Sequence, residues 1–303
     1  MIRFTVIGGY LGTGKTPLLN HLLKNNERRR IALIVNDFGE INIDAGLIES
    51  QTESQINLTN GCVCCTLSDG FHESIDQLCQ LDPAPDHIIV EASGVANVHN
   101  LAQYGYGPNM MLDGVLVLAD AETVIEKAKD KYVSKTVQRQ LAAADLIILN
   151  KIDLVSPSKL QEVKEWLASQ YPEIPVVESE KSIVPMSFLL GLRDSHSSLN
   201  RPPDQLHEHN EQYDTWQYQS SRPTTTDAVQ FFLDGLGSDI IRAKGFALLE
   251  DGSALVIQVV GNRKEISNST SDHNDGLQLI AIGLEAKLDK AELDRLAEET
   301  FGS

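Results

Sequence analysis

No stretch of this chain is long and apolar enough for a helix to cross a bilayer, which takes roughly 18 such residues, so no membrane-spanning helix is expected. Basic residues are scarce as well. Only 25 Lys and Arg stand against 43 Asp and Glu, giving a formal charge of −18 with no basic patch to offset it. Nucleic acid and anionic membrane surfaces are therefore not expected as main partners. An acidic surface favours cations, or serves only to keep the protein in solution. Cysteine is sparse, with four in 303 residues, and that argues against a small secreted fold stapled by disulfides. No internal repeat is present. The N-terminus enters its first strand signal almost at once, leaving no room for a cleavable leader, so the cytoplasm is the expected location.

The apolar content that is present, 42% of the chain, is ordinary for a globular protein, and the length suits two domains. Residues 1–180 alternate strand and helix signals. Strands are expected at Phe4–Ile7, Ile31–Asn36, His87–Glu91, Gly114–Leu118, Leu146–Asn150 and Pro175–Val177. Helices are expected at Pro17–Lys24, Phe71–Gln80, Glu122–Ala143 with a break, and Pro157–Ser169. Several strand candidates are continuous apolar runs, as in a parallel sheet covered by helices on both faces. Ligands of such sheets bind beyond the carboxyl ends of the strands. From Phe188 to Thr225 the periodicity fades, and the polar stretch Arg201–Ser220 reads as a linker or mobile loop. Regular signals return with a helix over Asp227–Leu236, strands over Gly245–Glu250, Ala254–Val260 and Leu277–Ile282, and a closing helix over Leu284–Glu299. The expected architecture is α/β: a mostly parallel sheet flanked by helices in residues 1–187, a linker at 188–225, and a smaller α+β domain at 226–303.

The first strand runs into Gly9-Tyr10-Leu11-Gly12-Thr13-Gly14-Lys15-Thr16, a complete GxxxxGKT phosphate-binding loop followed by a helical stretch. Without side chains, Gly9, Gly12 and Gly14 let successive N–H groups turn inward around phosphate oxygens. Lys15 supplies a point charge between the terminal phosphates, Thr16 offers its hydroxyl to Mg²⁺, and the helix presents its positive end. Thr13 belongs to the same cradle. A merely flexible glycine turn would need neither the Lys-Thr pair nor the flanking strand and helix.

Asn150-Lys151-Ile152-Asp153 ends a later strand and selects the base. The Asp153 carboxylate can accept from guanine N1–H and the exocyclic amine, both absent from adenine. Asn150 can bond near N7 or tie the base loop to the glycine loop, and the Lys151 stem can cover the base face. Adenine would leave polar groups unmatched. The same four residues can also arise as a helix start, but here they follow the glycine loop in order and sit at a strand end. GTP and GDP are the expected ligands.

Two further strand ends complete the expected site. Asn36-Asp37-Phe38-Gly39-Glu40 offers acids to the metal side of the phosphates. In Glu91-Ala92-Ser93-Gly94, Glu91 can orient a magnesium-bound water and the Gly94 N–H can sense the terminal phosphate. Taken singly, each acid reads almost as well as a surface carboxylate, and the division of labour among Asp37, Glu40 and Glu91 stays open. Catalysis would consist mainly of positioning water and neutralising charge, with Lys15 among the contributors. No arginine or glutamine stands out as a finger residue, so slow intrinsic turnover is expected.

Between the two acidic segments lies Gly61-Cys62-Val63-Cys64-Cys65-Thr66. Cys62, Cys64 and Cys65 are close enough to share one borderline-soft cation, with a carboxylate, water or partner residue in a fourth position. Neighbouring cysteines reach good disulfide geometry only in constrained backbones. Metal binding leads over a structural role and redox chemistry. Cys79 falls in the helical pattern Phe71, Ile75, Leu78 and reads as a small hydrophobe.

Together these motifs resemble the CobW-like family of P-loop GTPases, strongly over residues 1–180 and moderately beyond. Gly9–Thr16 is similar to its Walker A sequence, Asn36–Glu40 to its first switch, Cys62–Cys65 to its CxCC signature, Glu91–Gly94 to its ExxG segment, and Asn150–Asp153 to its guanine motif. Arg242-Ala243-Lys244-Gly245-Phe246 resembles the start of its C-terminal domain. The resemblance implies a GTP-hydrolysing metallochaperone or insertase that delivers Zn²⁺, Co²⁺ or another transition metal. Its recipient would be a client metalloprotein or cofactor enzyme docking on the C-terminal domain. Two departures stand out. Pro17 replaces the usual second threonine, and in place of a long histidine-rich tract there is only His207-Glu208-His209. A nucleotide-dependent metal sensor and a small-molecule kinase are the competing readings. Asn150–Asp153, and the lack of an obvious acceptor-substrate base, argue against the kinase.

Overall fold

The computed structural model describes residues 1–25, 30–35, 55–57, 69–190, 213–237, 239–269, 276–285 and 287–302. The chain forms two compact units, residues 1–190 and 191–303.

In the first unit the described elements run β1 (Ile2–Gly9), α1 (Lys15–Lys24), β2 (Ile31–Val35), β3 (Gln55–Asn57), α2 (Asp69–Cys79), β4 (His87–Glu91), α3 (Val98–Ala102), β5 (Met110–Asp120), α4 (Val124–Lys129), α5 (Ser134–Ala142), β6 (Leu146–Asn150), α6 (Pro157–Gln170), β7 (Val176–Ser179) and α7 (Met186–Leu190). The strands form a seven-stranded sheet in the order β3-β2-β4-β1-β5-β6-β7, with every pairing parallel. Strands β1, β4 and β6 are buried along their whole length, which is why apolar residues dominate them. Register aligns the functional strand ends. Glu91 lies beside Ile7, Gly9 beside Leu118, and Asp120 beside Asn150, which in turn lies beside Ser179.

The strand β5 extends beyond the expected Gly114–Leu118 at both ends. Asp113 reads as a strand breaker, yet it is 2% exposed and lies 3.6 Å from the Arg3 guanidinium, itself buried, so the charge is accommodated inside the sheet. Thr5 and His87 form a second buried polar pair across β1 and β4, 2.7 Å apart. The expected break in the long helix falls at Asp130. Its Oδ1 accepts from the N–H groups of Tyr132 (2.7 Å) and Val133 (3.0 Å), ending α4 and starting α5.

The second unit contains β8 (Tyr213–Ser220), α8 (Thr226–Gly235), β9 (Ile240–Leu248), β10 (Ala254–Val260), β11 (Arg263–Asn268), β12 (Leu277–Leu284) and α9 (Lys290–Phe301). Its sheet is antiparallel, in the order β11-β10-β9-β12-β8. Side chains at Thr225 and Asp289 cap the two helices. An aromatic cluster joins helices to sheet: the Phe232 ring lies 6.0 Å from Trp216 and 5.3 Å from Phe301.

Four sequence expectations need correction here. Residues 213–220, read as part of the polar linker, are an edge strand in which Trp216 and Tyr218 turn inward while Thr215, Gln217 and Gln219 alternate with them. Residues 188–190, also assigned to the linker, end α7. The strand expected at Gly245–Glu250 starts earlier, at Ile240, so that Arg242–Lys244 also lie within β9. The closing helix starts at Lys290, because Leu284 completes β12 and Asp289 supplies the cap.

Because Phe232 is buried at the centre of the aromatic cluster, Phe232→Ala should destabilise the C-terminal unit by about 3–5 kcal/mol. Denaturant unfolding of the full chain, followed through tryptophan fluorescence, reads this out. A loss below about 1 kcal/mol would show that this cluster does not hold the unit together.

Candidate functional site: the carboxyl edge of the parallel sheet

The phosphate loop leaves β1 through three glycines with positive φ: Gly9 at 137°, Gly12 at 78° and Gly14 at 102°. Each adopts backbone that L side chains rarely enter. At Gly14 a Cβ would also lie 2.4 Å from Asn150 Nδ2 and 2.5 Å from Ser182 Oγ, whereas Gly12 faces open space. Helix α1 begins directly at Lys15, with Gly14 as its cap, so its first-turn N–H groups point back toward the loop. Pro17 sits in that first turn, where the missing N–H removes no helical bond. The Lys15 ammonium donates to the Gly9 carbonyl at 3.0 Å, and the residue is buried. Thr13 Oγ1 donates to the Tyr10 carbonyl at 2.9 Å and closes the turn. Thr16 is half-buried.

At the end of β6, Asn150 is 1% exposed. Its amide donates to the Thr13 carbonyl (2.9 Å) and to Ser182 Oγ (2.8 Å), while its Oδ1 accepts from the Ser182 N–H (2.8 Å). Ser182 Oγ in turn donates to the Gly14 carbonyl at 2.9 Å. Of the two roles expected for Asn150, the structure displays the tie between base loop and glycine loop. Lys151 takes a left-handed backbone with φ 64°, and its ammonium pairs with Asp120 Oδ2 at 2.7 Å, which directs its stem. Asp153 lies on a short 3₁₀ turn and is exposed.

Glu91 is buried at the end of β4. Gly94 follows in a turn closed by Ala96 N–H donating to the Ser93 carbonyl at 3.0 Å. A Cβ at Gly94 would lie 2.9 Å from the Leu11 nitrogen, so glycine is what allows this turn to touch the phosphate loop.

Ser182 and Asp120 were missed by sequence reasoning. Asp120 ends a strand as Glu91 does, and the same strand-end rule would have found it. Ser182 carries no motif signal; its position just past β7 is its only mark. Its segment is anchored further by His21, whose Nε2–H donates to the Val184 carbonyl at 2.9 Å.

Asp37, Glu40, Cys62, Cys64, Cys65, His207 and His209 lie outside the described residues. Among the described residues no group of three or more His, Cys, Asp or Glu is placed to hold a metal. Cys79 packs half-buried against the core, and burial, with the charge of Asp76 adding to it, pushes its thiol pKa up, away from ligand behaviour. No helix among the described residues is long and apolar enough to cross a membrane.

Comparison with known proteins agrees with this geometry. Residues 3–178 match the CobW/HypB/UreG nucleotide-binding domain, and residues 213–300 match the cobalamin synthesis protein CobW C-terminal domain. A zinc chaperone CobW from a Sinorhizobium species is 32% identical, with 93% of each chain covered. The zinc chaperone CobW of Pseudomonas aeruginosa is also 32% identical, over 95% of this chain and 88% of that one. The zinc chaperone YjiA of Escherichia coli is 33% identical over 58% of this chain and 56% of its own. The chain belongs to the CobW/HypB/UreG family of P-loop GTPases, of the metallochaperone type.

Ser182→Ala removes two of the bonds that join the base loop to the phosphate loop and leaves the backbone contact to Asn150. GDP affinity should fall about five- to thirtyfold with the fold intact, from roughly 1–2 kcal/mol of lost hydrogen bonding. Titration with a fluorescent guanine nucleotide measures it. Unchanged affinity would mean that the web does not shape the site.

Proposed function

We propose that this member of the CobW/HypB/UreG family hydrolyses GTP and couples that cycle to delivery of a bound transition metal, with Zn²⁺ the preferred cargo, to a client protein. The observation that carries the nucleotide half is the Asn150 web, which fastens a guanine-reading loop to a phosphate-binding loop. An adenine-specific or non-nucleotide protein has no use for an Asn-Lys-x-Asp tetrad held in that place.

The roles follow from chemistry and position. Gly9, Gly12, Thr13, Gly14 and Lys15 receive the phosphates. Gly94 reads the terminal one, and Asn150, Lys151 and Asp153 fix the base. The half-buried Thr16 hydroxyl at the start of α1, together with acids at the neighbouring strand ends, is a hard-oxygen donor set suited to Mg²⁺. Thr16, Asp37 and Glu91 would hold that ion, which would neutralise charge between the phosphates. Glu91, buried at the edge of the sheet, orients a water, with Asp37 and Glu40 as the other acids of the site. The cargo metal is a separate ion held by the thiolates of Cys62, Cys64 and Cys65. Three such ligands suit zinc and leave room for a fourth donor from the recipient. The relatives described as zinc chaperones support the choice of metal. The C-terminal unit is the client-docking module.

The test is a transfer assay: zinc-loaded protein mixed with apo-client candidates in the presence of GTP, a non-hydrolysable analogue or GDP. The yield of metallated client is expected to depend on the nucleotide, and Cys64→Ala should weaken zinc binding about tenfold or more, with little transfer remaining. Equal metal occupancy and transfer in Cys64→Ala would remove the cysteines from the account. Nucleotide-dependent partner binding without transfer would identify a sensor instead.

A further inference from the structure

Helices α4 and α5, which carry the chain from β5 to β6, contain none of the motif residues, yet both reach into the nucleotide site. From α4, Lys127 donates to the Leu11 carbonyl at 3.4 Å, and its ammonium lies 5.1 Å from the centroid of the Tyr10 ring. From α5, Gln140 is 2% exposed, and its Nε2 donates to two carbonyls of the turn after β4, Gly94 at 3.3 Å and Ala96 at 3.0 Å. The amide orientation is determined by this pairing, because the flipped form would set Oε1 against both carbonyl oxygens. Leu11 and Gly94 are themselves in contact: a Cβ on Gly94 would lie 2.5 Å from Leu11 Cδ2. The two helices therefore hold the tip of the phosphate loop and the adjoining turn at the same point.

We propose that Gln140 is a positioning residue that fixes the Ser93–Ala96 turn so that Gly94 distinguishes a nucleoside triphosphate from a diphosphate. A glycine turn alone samples many peptide orientations. The Gly94 N–H lies in the Ser93–Gly94 peptide plane, whose carbonyl accepts from the Ala96 N–H at 3.0 Å, and in a planar trans peptide fixing that carbonyl also fixes the N–H. By holding the Gly94 and Ala96 carbonyls, Gln140 restrains the flanking planes and so keeps this bond, and with it the Gly94 N–H, in one orientation. The triphosphate needs this turn in one orientation, whereas the diphosphate leaves the terminal position empty and is indifferent to it. Gln140 thus acts on the terminal phosphate through Gly94 and does not touch the nucleotide. This rests on the reading of Gly94 given under the proposed function.

Gln140→Met keeps the length and the unbranched stem while removing both donors. In the full-length protein, affinity for a fluorescent non-hydrolysable GTP analogue should fall about tenfold while GDP affinity stays within about twofold. Gln140→Asn, one methylene shorter and able to reach at most one carbonyl, should shift the same ratio less. It supplies the comparison if the methionine variant does not fold. A helix that merely packs beneath the turn would lower both affinities together or change neither, and an unchanged triphosphate-to-diphosphate ratio in a folded variant overturns the proposal. Wild-type protein whose affinity did not distinguish the triphosphate analogue from GDP would overturn the reading of Gly94 together with this inference. A wild type that does distinguish them, whose ratio Gln140→Met leaves intact, overturns this inference alone.

Discussion

The side chain of Asn150 is the join on which the nucleotide site depends. A primary amide has two donors and an acceptor within a rigid plane, and here it grips the Thr13 carbonyl, the Ser182 hydroxyl and the Ser182 N–H. Buried at the end of β6, these bonds have no water to compete with, and each group would be costly to leave unmatched. Three segments distant in sequence are thereby locked together: the loop after β1, the tetrad after β6 and the turn after β7. Through this lock the glycine loop and the Asn-Lys-x-Asp segment form one surface.

Around the join, the sheet provides alignment and the glycines provide proximity. Parallel register brings Gly9, Glu91, Asp120, Asn150 and Ser179 to the same edge, and the buried Arg3–Asp113 pair lets β5 run its full length across the sheet to reach it. At Gly14 and Gly94 the absent Cβ is what permits contact between segments. Such positions suit a site that must respond to one phosphate group, since neighbouring turns in contact can pass on a small displacement.

Much of this was legible in the amino-acid sequence, for identifiable reasons. Strands β4 and β6 and helix α6 were recoverable because two-sided burial produces unbroken apolar runs and Pro157 marks a helix start. The glycine loop and the Asn-Lys-x-Asp tetrad were legible because their chemistry is local. What remained hidden depends on contacts between distant residues. The charge of Asp113 masked the first half of β5 until Arg3 was seen beside it. Polar residues alternating with Trp216 and Tyr218 disguised β8 as a linker. Ser182 and Gln140 act through partners 168 and 46 residues away, which no local pattern encodes.

The proposed function gives a reason for the CxCC segment, proposed to hold the cargo metal, to lie in sequence between two segments proposed to serve the nucleotide: the phosphates would then set the geometry of the thiolates. Coupling of this kind is reciprocal and commonly amounts to about five- to 150-fold in affinity. Its most direct test is the zinc affinity of the full chain, measured by competition with a chromogenic chelator in the nucleotide-free, GDP-bound and GTP-analogue-bound forms. The account predicts at least about a fivefold difference between the diphosphate and triphosphate forms. Equal affinities in all three forms would contradict it.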